Sequence, residues 1–348
     1  MCGICGELRH DGQAGRGDII ERMLPKLARR GPDFEDQWQQ GPLALGHRRL
    51  AIIDLSARAN QPMVDQELGL VLVFNGSIYN YRELRADLIK EGYQFFSEGD
   101  SEVIIKAYHK WGERCPEYLH GMFAFAIWDS RTENLFLARD RMGIKPLYYS
   151  QREHFFRFAS NPQALLAGGE VDTHIDPVAL HHQLTLHAVV PAPRTILSGV
   201  RKLIPGTSLT IKPDGTLTHR RYWTLNAERL AEPRSEQEWT DAIHTALRES
   251  VRKRLEVADV PVGVLLSGGL DSSLLVALLA EAGVRDLLTF SIGFEDQPEE
   301  KGSEFEYSDQ VVDRYQTRHY KYHIPNAEVL PRLPEAVQFM AEPMVGQD

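Results

Sequence analysis

Between an apolar run that reads as a buried strand (VPVGVLL, 260–266) and one that reads as a helix (SSLLVALLAEAG, 272–283), the chain places Ser267-Gly268-Gly269-Leu270-Asp271-Ser272-Ser273. A strand passing through two glycines straight into a helix cannot close a hairpin. The helix must cross over and feed the next strand in parallel. Residues 287–294 (LLTFSIGF) supply that strand, 305–315 (FEYSDQVVDRY) a second helix and 319–324 (HYKYHI) a short third strand. Upstream, Trp239, Ile243, Leu247 and Val251 recur every four residues and predict an amphipathic helix over 236–255. The second half therefore reads as an α/β domain with a parallel sheet.

The first half follows another pattern. Residues 70–74 (LVLVF) read as a strand stopped by the turn dipeptide Asn75-Gly76. Residues 122–128 (MFAFAIW), 134–138 (NLFLA), Tyr148-Tyr149 and 154–159 (HFFRFA) continue the strand series. Helices are predicted over 81–91, ending at Gly92, and over 101–111, with Ser101 at the N-cap. This mixture predicts α+β, antiparallel sheets with helices packed on them. From 205 to 235 the turns Pro205-Gly206 and Pro213-Asp214-Gly215 and the polar run AERLAEPRSEQ predict the end of the first domain and a linker.

The charge balance, 39 Lys+Arg against 49 Asp+Glu for a net −10, argues against nucleic acid as a partner. It leaves room for a nucleotide, which needs only a local site. No apolar run approaches the roughly 18 residues that span a bilayer, so no membrane association is expected. The start MCGICGELRHDG lacks the basic and apolar regions of a signal peptide, and the expected location is cytoplasmic. Three cysteines are too few for a disulfide scaffold. Cys2 and Cys5 have redox-like spacing, but no second pair completes a zinc site.

The glycine loop has the chemistry of a phosphate site. Gly268 and Gly269 let backbone approach a ligand, and the helix behind them offers free N–H groups and a positive dipole end. Ser267, Ser272 and Ser273 add hydroxyl donors. Asp271 would repel a bare phosphate and so implies a bridging cation, most simply Mg²⁺. No Lys follows the glycines, so this is not a Walker loop. The stretch, Leu270 included, resembles the pyrophosphate loop of ATP pyrophosphatases, which cleave ATP to AMP and pyrophosphate. Adenine would then lie at the strand ends, against Leu265 and Ile292, residues that serve equally well as ordinary core.

At the other end of the chain, Cys2 acquires a chemistry of its own if Met1 is removed. Its α-amino group, with a reference pKa near 8, becomes a general base beside the thiol. Gly3 and Gly6 would leave room for a substrate and for tightly packed backbone.

The motifs CGI (Cys2 to Ile4), RGPD (Arg30 to Asp33), HRRL (His47 to Leu50), NGSIYN (Asn75 to Asn80) and GDSEV (Gly99 to Val103) resemble those of class II glutamine amidotransferases. With SGGLDSS they make the chain similar to the asparagine synthetase family. The resemblance implies an α+β Ntn-hydrolase four-layer αββα sandwich over 2–225. An incomplete α/β parallel-sheet domain of the ATP pyrophosphatase type follows over 236–348. It implies Cys2 as nucleophile, Arg49 on the glutamine α-carboxylate and Asp100 on its α-ammonium. Asn75 and the Gly76 N–H would form the oxyanion hole. Each has an ordinary alternative: a hairpin turn for Asn75-Gly76, a surface charge for Arg49, a helix N-terminal charge for Asp100. ATP and Mg²⁺ would serve the second site. Partners would be small molecules (glutamine, ATP, a carboxylate acceptor), with a homodimer resting on resemblance alone. RDRMGIKPLYY (Arg139 to Tyr149) reads as structural or interfacial, and MFAFAIW as a core strand that could border an ammonia channel.

Several positions depart from the family pattern. Ser77 stands where an acid is usual, Phe158 to Gln163 lacks the usual Ser-Glu pair, and His187 to Arg194 is distinctive. These departures resemble the N-acetylglutaminylglutamine amidotransferases, which amidate a blocked dipeptide. Asparagine synthase and a glutaminase-only fragment are the alternatives. No later Ser-Gly-(Glu/Gln)-Gly motif follows, and the sequence stops at Val345-Gly346-Gln347-Asp348 in what resembles an unfinished helix–loop. The expectation is a truncated synthetase domain whose sheet exposes apolar surface.

Overall fold

The structure, a computed structural model, describes residues 1–229, 232–297 and 301–343. It divides into two compact units, one comprising residues up to Asn226 together with 341–343, the other Ala227–Met340. In chain order the first unit contains β1 (Gly3–Arg9), α1 (Gly17–Met23), β2 (Phe34–Gln40), β3 (Leu43–Arg49), β4 (Met63–Asp65) and β5 (Leu70–Ile78). Next come α2 (Tyr81–Lys90), α3 (Asp100–Trp111), α4 (Cys115–Tyr118), β6 (Gly121–Asp129), β7 (Asn134–Arg139), β8 (Tyr148–Gln151) and β9 (Phe155–Ala159). The unit closes with α5 (Pro162–Ala167), α6 (Pro177–Thr185), β10 (Arg201–Lys202), β11 (Thr207–Ile211) and β12 (Leu217–Arg221).

Its strands form two antiparallel sheets, ordered β10-β8-β9-β1-β3-β2 and β12-β11-β7-β6-β5-β4. The period of two along β1 shows how they stack. Ile4 and Leu8 enter the core between the sheets with Val73, Ala124, Trp128 and Phe156. Cys5 faces the opposite way, toward Ile20 and Met23 of α1 and Leu165 of α5. On the far side of the second sheet, Tyr108 of α3 rests on Phe136 of β7. The result is a four-layer αββα sandwich.

Four local expectations are corrected. Asn75-Gly76 does not turn the chain: β5 continues to Ile78, with Asn75 opposite Ala124 and Gly76 opposite Phe123 in β6. Gly76 is required there by close approach, since a Cβ would lie 2.3 Å from the Met122 carbonyl oxygen. Gly3 and Gly6 make room for core rather than for substrate. A Cβ at Gly6 would meet the Phe158 ring at 2.4 Å, and one at Gly3 would meet Leu27 at 2.7 Å. The N-cap of α3 is Gly99, which leaves Ser101 inside the first turn. The predicted linker also contains β11 and β12, so the Pro213-Asp214-Gly215 turn closes a hairpin in the second sheet. Leu230 and Ala231 of that stretch lie outside the described residues.

The second unit runs α7 (Glu236–Glu256), β13 (Gly263–Leu265), α8 (Leu270–Glu281), β14 (Leu288–Phe294), α9 (Phe305–Tyr315), β15 (Arg318–Ile324) and α10 (Asn326–Phe339). Strands β13, β14 and β15 are parallel and adjacent in that order. Ser235 and Glu238 form a reciprocal capping box at the start of α7. Val251 of α7 enters the small core with Val264, Val276 and Leu279, while Trp239 and Ile243 of the same stripe are 45% and 55% exposed. Along β14, Thr289 and Ser291 are buried, but Phe290, Ile292 and Phe294 are exposed. One apolar face of this sheet is therefore bare among the described residues. Val345 to Asp348, where the sequence suggested an unfinished helix–loop, lie outside them. No helix among the described residues is long and apolar enough to cross a membrane.

Strand β1 also carries a fully buried ion pair. Glu7 lies opposite Arg157 of β9, and Arg157 Nε donates to Glu7 Oε2 at 2.9 Å. Arg157→Met should therefore cost about 3–5 kcal/mol in urea unfolding, because it strands a buried carboxylate. The double change Glu7→Leu/Arg157→Met should recover most of that loss. A double variant no more stable than the single one would show that the cost is packing, not charge.

Candidate active site

The register of β1 builds the site. Gly3 pairs with Arg48 of β3, and the pairing extended by one residue sets Cys2 opposite Arg49. The Cys2 thiol donates to the Leu50 carbonyl at 3.6 Å and accepts from the Leu50 N–H at 3.3 Å. Arg30 Nε donates to the Cys2 carbonyl at 3.0 Å, which fixes the start of the chain. Cys5, three residues along the same strand, is buried on the helix side, so the two thiols of the C-x-x-C spacing face apart.

Cys2, Arg49, Gly76 and Asp100 line one small cavity of about 30 Å³. Asn75 is not among its lining residues. It lies next to Gly76, 1% exposed, with both amide atoms buried and unbonded. Seven further lining residues were given no site role from sequence, among them Leu50, Gln61, Phe74 and Ser101. Gln61 braces them, accepting from the Phe74 N–H at 2.6 Å and donating to Ser101 Oγ at 3.1 Å. Arg30 belongs to the quoted RGPD motif, so its signal was present, although no role was attached to it.

Two charges in this cavity lack opposite partners. The Arg49 guanidinium is held by neutral acceptors: the Ser56 carbonyl at 2.9 Å, Asn60 Oδ1 at 2.6 Å and the Asp54 carbonyl. No described carboxylate lies within ion-pair distance of it. It is buried, so it is not the surface charge that was the alternative. Asp100 does begin α3, yet its Oδ2 turns back to accept from the Ile78 N–H at 3.0 Å, and no described cation pairs with it. Burial pushes its carboxyl up to about 7. Burial likewise raises the Cys2 thiol and lowers the α-amine of Met1. Beside this site, His47 Nε2 lies 3.2 Å from the Phe74 carbonyl, tying the two sheets together. Burial drops its pKa to about 3, which favours the neutral imidazole.

In the second unit, SGGLDSS joins β13 to α8. The helix begins at Leu270, two residues earlier than the sequence indicated, so Asp271 lies in its first turn. Gly269 is its N-cap and provides no side-chain cap, leaving first-turn N–H groups open. Ser267 Oγ is 3.1 Å from Ser272 Oγ and accepts from the Gly269 N–H at 3.2 Å. Gly268 needs its glycine twice over: its φ is +90°, and a Cβ would lie 2.5 Å from the Ser308 nitrogen of α9. Leu265 and Ile292 are 76% and 61% exposed, so neither is core. A single carboxylate with nearby hydroxyls suits a Mg²⁺ ion shared with phosphates, not an all-protein cage. Among the described residues no cluster of three or more His, Cys, Asp or Glu could hold a metal alone.

Residues 1–223 match the family described as glutamine amidotransferase domain, which defines the class. Residues 242–348 match the family described as asparagine synthase. "Asparagine synthetase [glutamine-hydrolyzing] 3" of Bacillus subtilis is 33% identical over 97% of this chain and 56% of its own length. "Asparagine synthetase [glutamine-hydrolyzing] 1" of the same organism is 37% identical over 85% of this chain and 46% of its own length. "Amidase chry2" of Gibberella zeae is 36% identical over 80% and 43%. The chain belongs to the glutamine amidotransferases of the asparagine synthetase family. It spans about half the length of these curated relatives.

Ionised Asp100 is disfavoured in the folded state, whereas in the unfolded chain the group titrates near 4. Stability is therefore lost as pH rises from about 4 through 7. Asp100→Asn should gain on the parent protein between pH 5 and pH 8, by up to about 3 kcal/mol in urea titrations. A stability difference independent of pH would mean that the carboxyl is not held neutral.

Proposed function

We propose that this chain is the glutaminase part and the beginning of the synthetase part of an ATP-dependent amidotransferase. The carrying observation is the cavity beside Cys2, where an unpaired guanidinium and an unpaired carboxylate face the same space. A zwitterionic α-amino acid complements both charges at once: its carboxylate lies against the Arg49 guanidinium, its ammonium against Asp100. The side-chain amide of glutamine is then left for the thiol.

With Met1 removed, the Cys2 α-amine takes the thiol proton, and sulfur attacks the amide carbon. The Gly76 N–H and the unbonded Asn75 amide supply donors for the oxyanion. Ammonia leaves, and water hydrolyses the thioester to glutamate. In the second unit, ATP phosphates would take the open N–H groups of α8 and the hydroxyls of Ser267, Ser272 and Ser273. Leu265 and Ile292 offer apolar surface to adenine. Asp271 would hold Mg²⁺, whose chemistry there is to neutralise phosphate charge. A carboxylate attacks the α-phosphorus, pyrophosphate departs, and ammonia displaces AMP from the acyl-adenylate to give the amide. Domain bounds of 2–225 and 236–348 divide these two tasks.

For the acceptor we favour N-acetylglutaminylglutamine, on Ser77, the 158–163 segment and the 187–194 segment. Relatives of similar identity, 37% and 36%, carry the names asparagine synthetase and amidase, so overall likeness does not choose the acceptor. The test gives the full-length protein glutamine, ATP and Mg²⁺ with one acceptor at a time. Pyrophosphate release that tracks the blocked dipeptide carries the reading; release that tracks aspartate makes the protein an asparagine synthase. Glutamate alone leaves a glutaminase. Cys2→Ala should abolish glutamine-dependent synthesis and spare ammonia-dependent synthesis. Asp271→Asn should do the reverse to pyrophosphate release while leaving glutaminase intact, and equal loss of both activities in either variant would contradict two separate sites.

A further inference from the structure

The segment RDRMGIKPLYY was expected to be structural, and its first half is. The Asp140 carboxylate, 1% exposed, accepts from the backbone N–H groups of Phe123 (3.2 Å), Met142 (3.1 Å), Ile144 (2.9 Å) and Lys145 (2.9 Å). These bonds wind a loop around one buried charge.

Asp54 is a buried carboxylate of another kind. It lies in the loop after β3, where sequence assigned it no role, and its φ of +47° is left-handed, a region that aspartate and asparagine tolerate. Its Oδ1 accepts from the Ser56 N–H at 3.1 Å and from Ser56 Oγ at 2.6 Å. Its Oδ2 accepts from the Glu98 N–H at 2.8 Å, on a separate segment of the chain. Burial disfavours the charge, yet the bonds from Ser56 and Glu98, with Arg49 nearby, hold its carboxyl below the ordinary value.

The two ends of this bridge lead to the two charges of the Cys2 cavity. On one side, the carbonyls of Asp54 and Ser56 both accept from the Arg49 guanidinium. On the other, Glu98 precedes Gly99, the N-cap of α3, and Asp100, its first residue. Buried Glu102, in the first turn of α3, accepts from the N–H groups of Phe96 at 3.0 Å and Ser97 at 2.7 Å, which ties this segment to the helix. Gly99 also packs on the loop, since a Cβ there would lie 3.4 Å from Asp54 Cβ. Arg49 ends a strand of one sheet, whereas Asp100 starts a helix packed on the other. Register within either sheet therefore does not set the distance between them. The Asp54 carboxylate joins the segments that carry them.

We infer that Asp54 is a positioning residue that sets the spacing of Arg49 and Asp100, and with it the preference of the cavity for a ligand bearing a carboxylate and an ammonium on one carbon. The inference rests on the glutaminase reading above and deepens it. A zwitterionic α-amino acid holds its two charges at a fixed separation. It gains from both protein groups only where these are held at the matching one. A ligand with a single charged end meets one group and tolerates a shift of the other. Asp54 thus acts through both residues on discrimination, rather than on either charge alone.

The test uses the full-length protein carrying Cys2→Ala, so that glutamine binds without turnover, and reads dissociation constants by calorimetry. The ligands are glutamine, 4-carbamoylbutanoate, which lacks the ammonium, and 4-aminobutanamide, which lacks the carboxylate. Asp54→Asn keeps the tolerance of left-handed φ but turns a donor toward one set of N–H groups. Asp54→Gly keeps the φ and removes the carboxylate. Both should weaken glutamine about ten-fold and either analogue less than about three-fold. Equal weakening of all three ligands in the folded variants, or unchanged glutamine binding, overturns the inference. So does a parent that binds glutamine no better than the analogues. Should neither Asp54 variant fold, Ser56→Ala, which deletes the Oγ bond alone, must still weaken glutamine more than either analogue; equal weakening there overturns the inference too. The expected pattern in a protein whose Cys2 form releases no glutamate supports the inference and counts against the glutaminase reading alone.

Discussion

Everything at the first site depends on β1 being paired along both edges. A strand locked between β3 and β9 has one register available, because a slip by one residue would turn Ile4 and Leu8 out of the core and Cys5 into it. That register alone sets Cys2 opposite Arg49 and puts the Leu50 N–H on its sulfur. The buried Glu7–Arg157 pair reinforces it, since an unmatched charge at either position would be left in the dry interior. Cys2 is thus positioned by a strand paired along both edges.

Around this rigid strand the fold collects groups that are poorly satisfied by themselves. Arg49 is bonded only to neutral acceptors, Asp100 only to backbone, the Asn75 amide and Ser77 Oγ to nothing described, and Lys145 to a thioether. Elsewhere in the unit, buried charges are paired or wrapped, as Glu7 and Asp140 are. The contrast separates a site from a core. A core tends to satisfy its buried charges internally, although Glu7 Oε1 and Ser150 Oγ are also unbonded, whereas a site leaves charges for a ligand, at a cost the surrounding sandwich must offset.

How much of this was legible in sequence depended on whether the signal was local. The loop between β13 and α8 was readable because glycine, serine and aspartate at one junction have few other uses. The strands at 122–128 and 134–138 were readable from apolar density alone. Strands β1, β2 and β3 were not singled out, and β1 shows why. Its two glycines count against a strand locally, yet they are needed because Leu27, Leu45 and Phe158 fill the space a Cβ would take. The Asn75-Gly76 error has the same origin: a turn-forming pair was overruled by nine residues of pairing with β6. The unpaired state of Arg49 and Asp100 lay beyond sequence altogether, because it depends on which side chains fail to meet.

The second unit differs in a way that bears on its ligand. Parallel sheets normally bury both faces, and here only one face of β14 is covered among the described residues. The residues left bare, Phe290, Ile292, Tyr320 and Tyr322, are large and apolar or aromatic, so their exposure runs against the hydrophobic effect. The SGGLDSS loop has no such deficit. Its geometry comes from the turn itself, from the positive φ of Gly268 and from the contact of that turn with the backbone of α9. The loop and the apolar face therefore stand on different footings. The loop's backbone conformation is completed by the described residues, whereas the face beside Leu265 and Ile292 is uncovered among them.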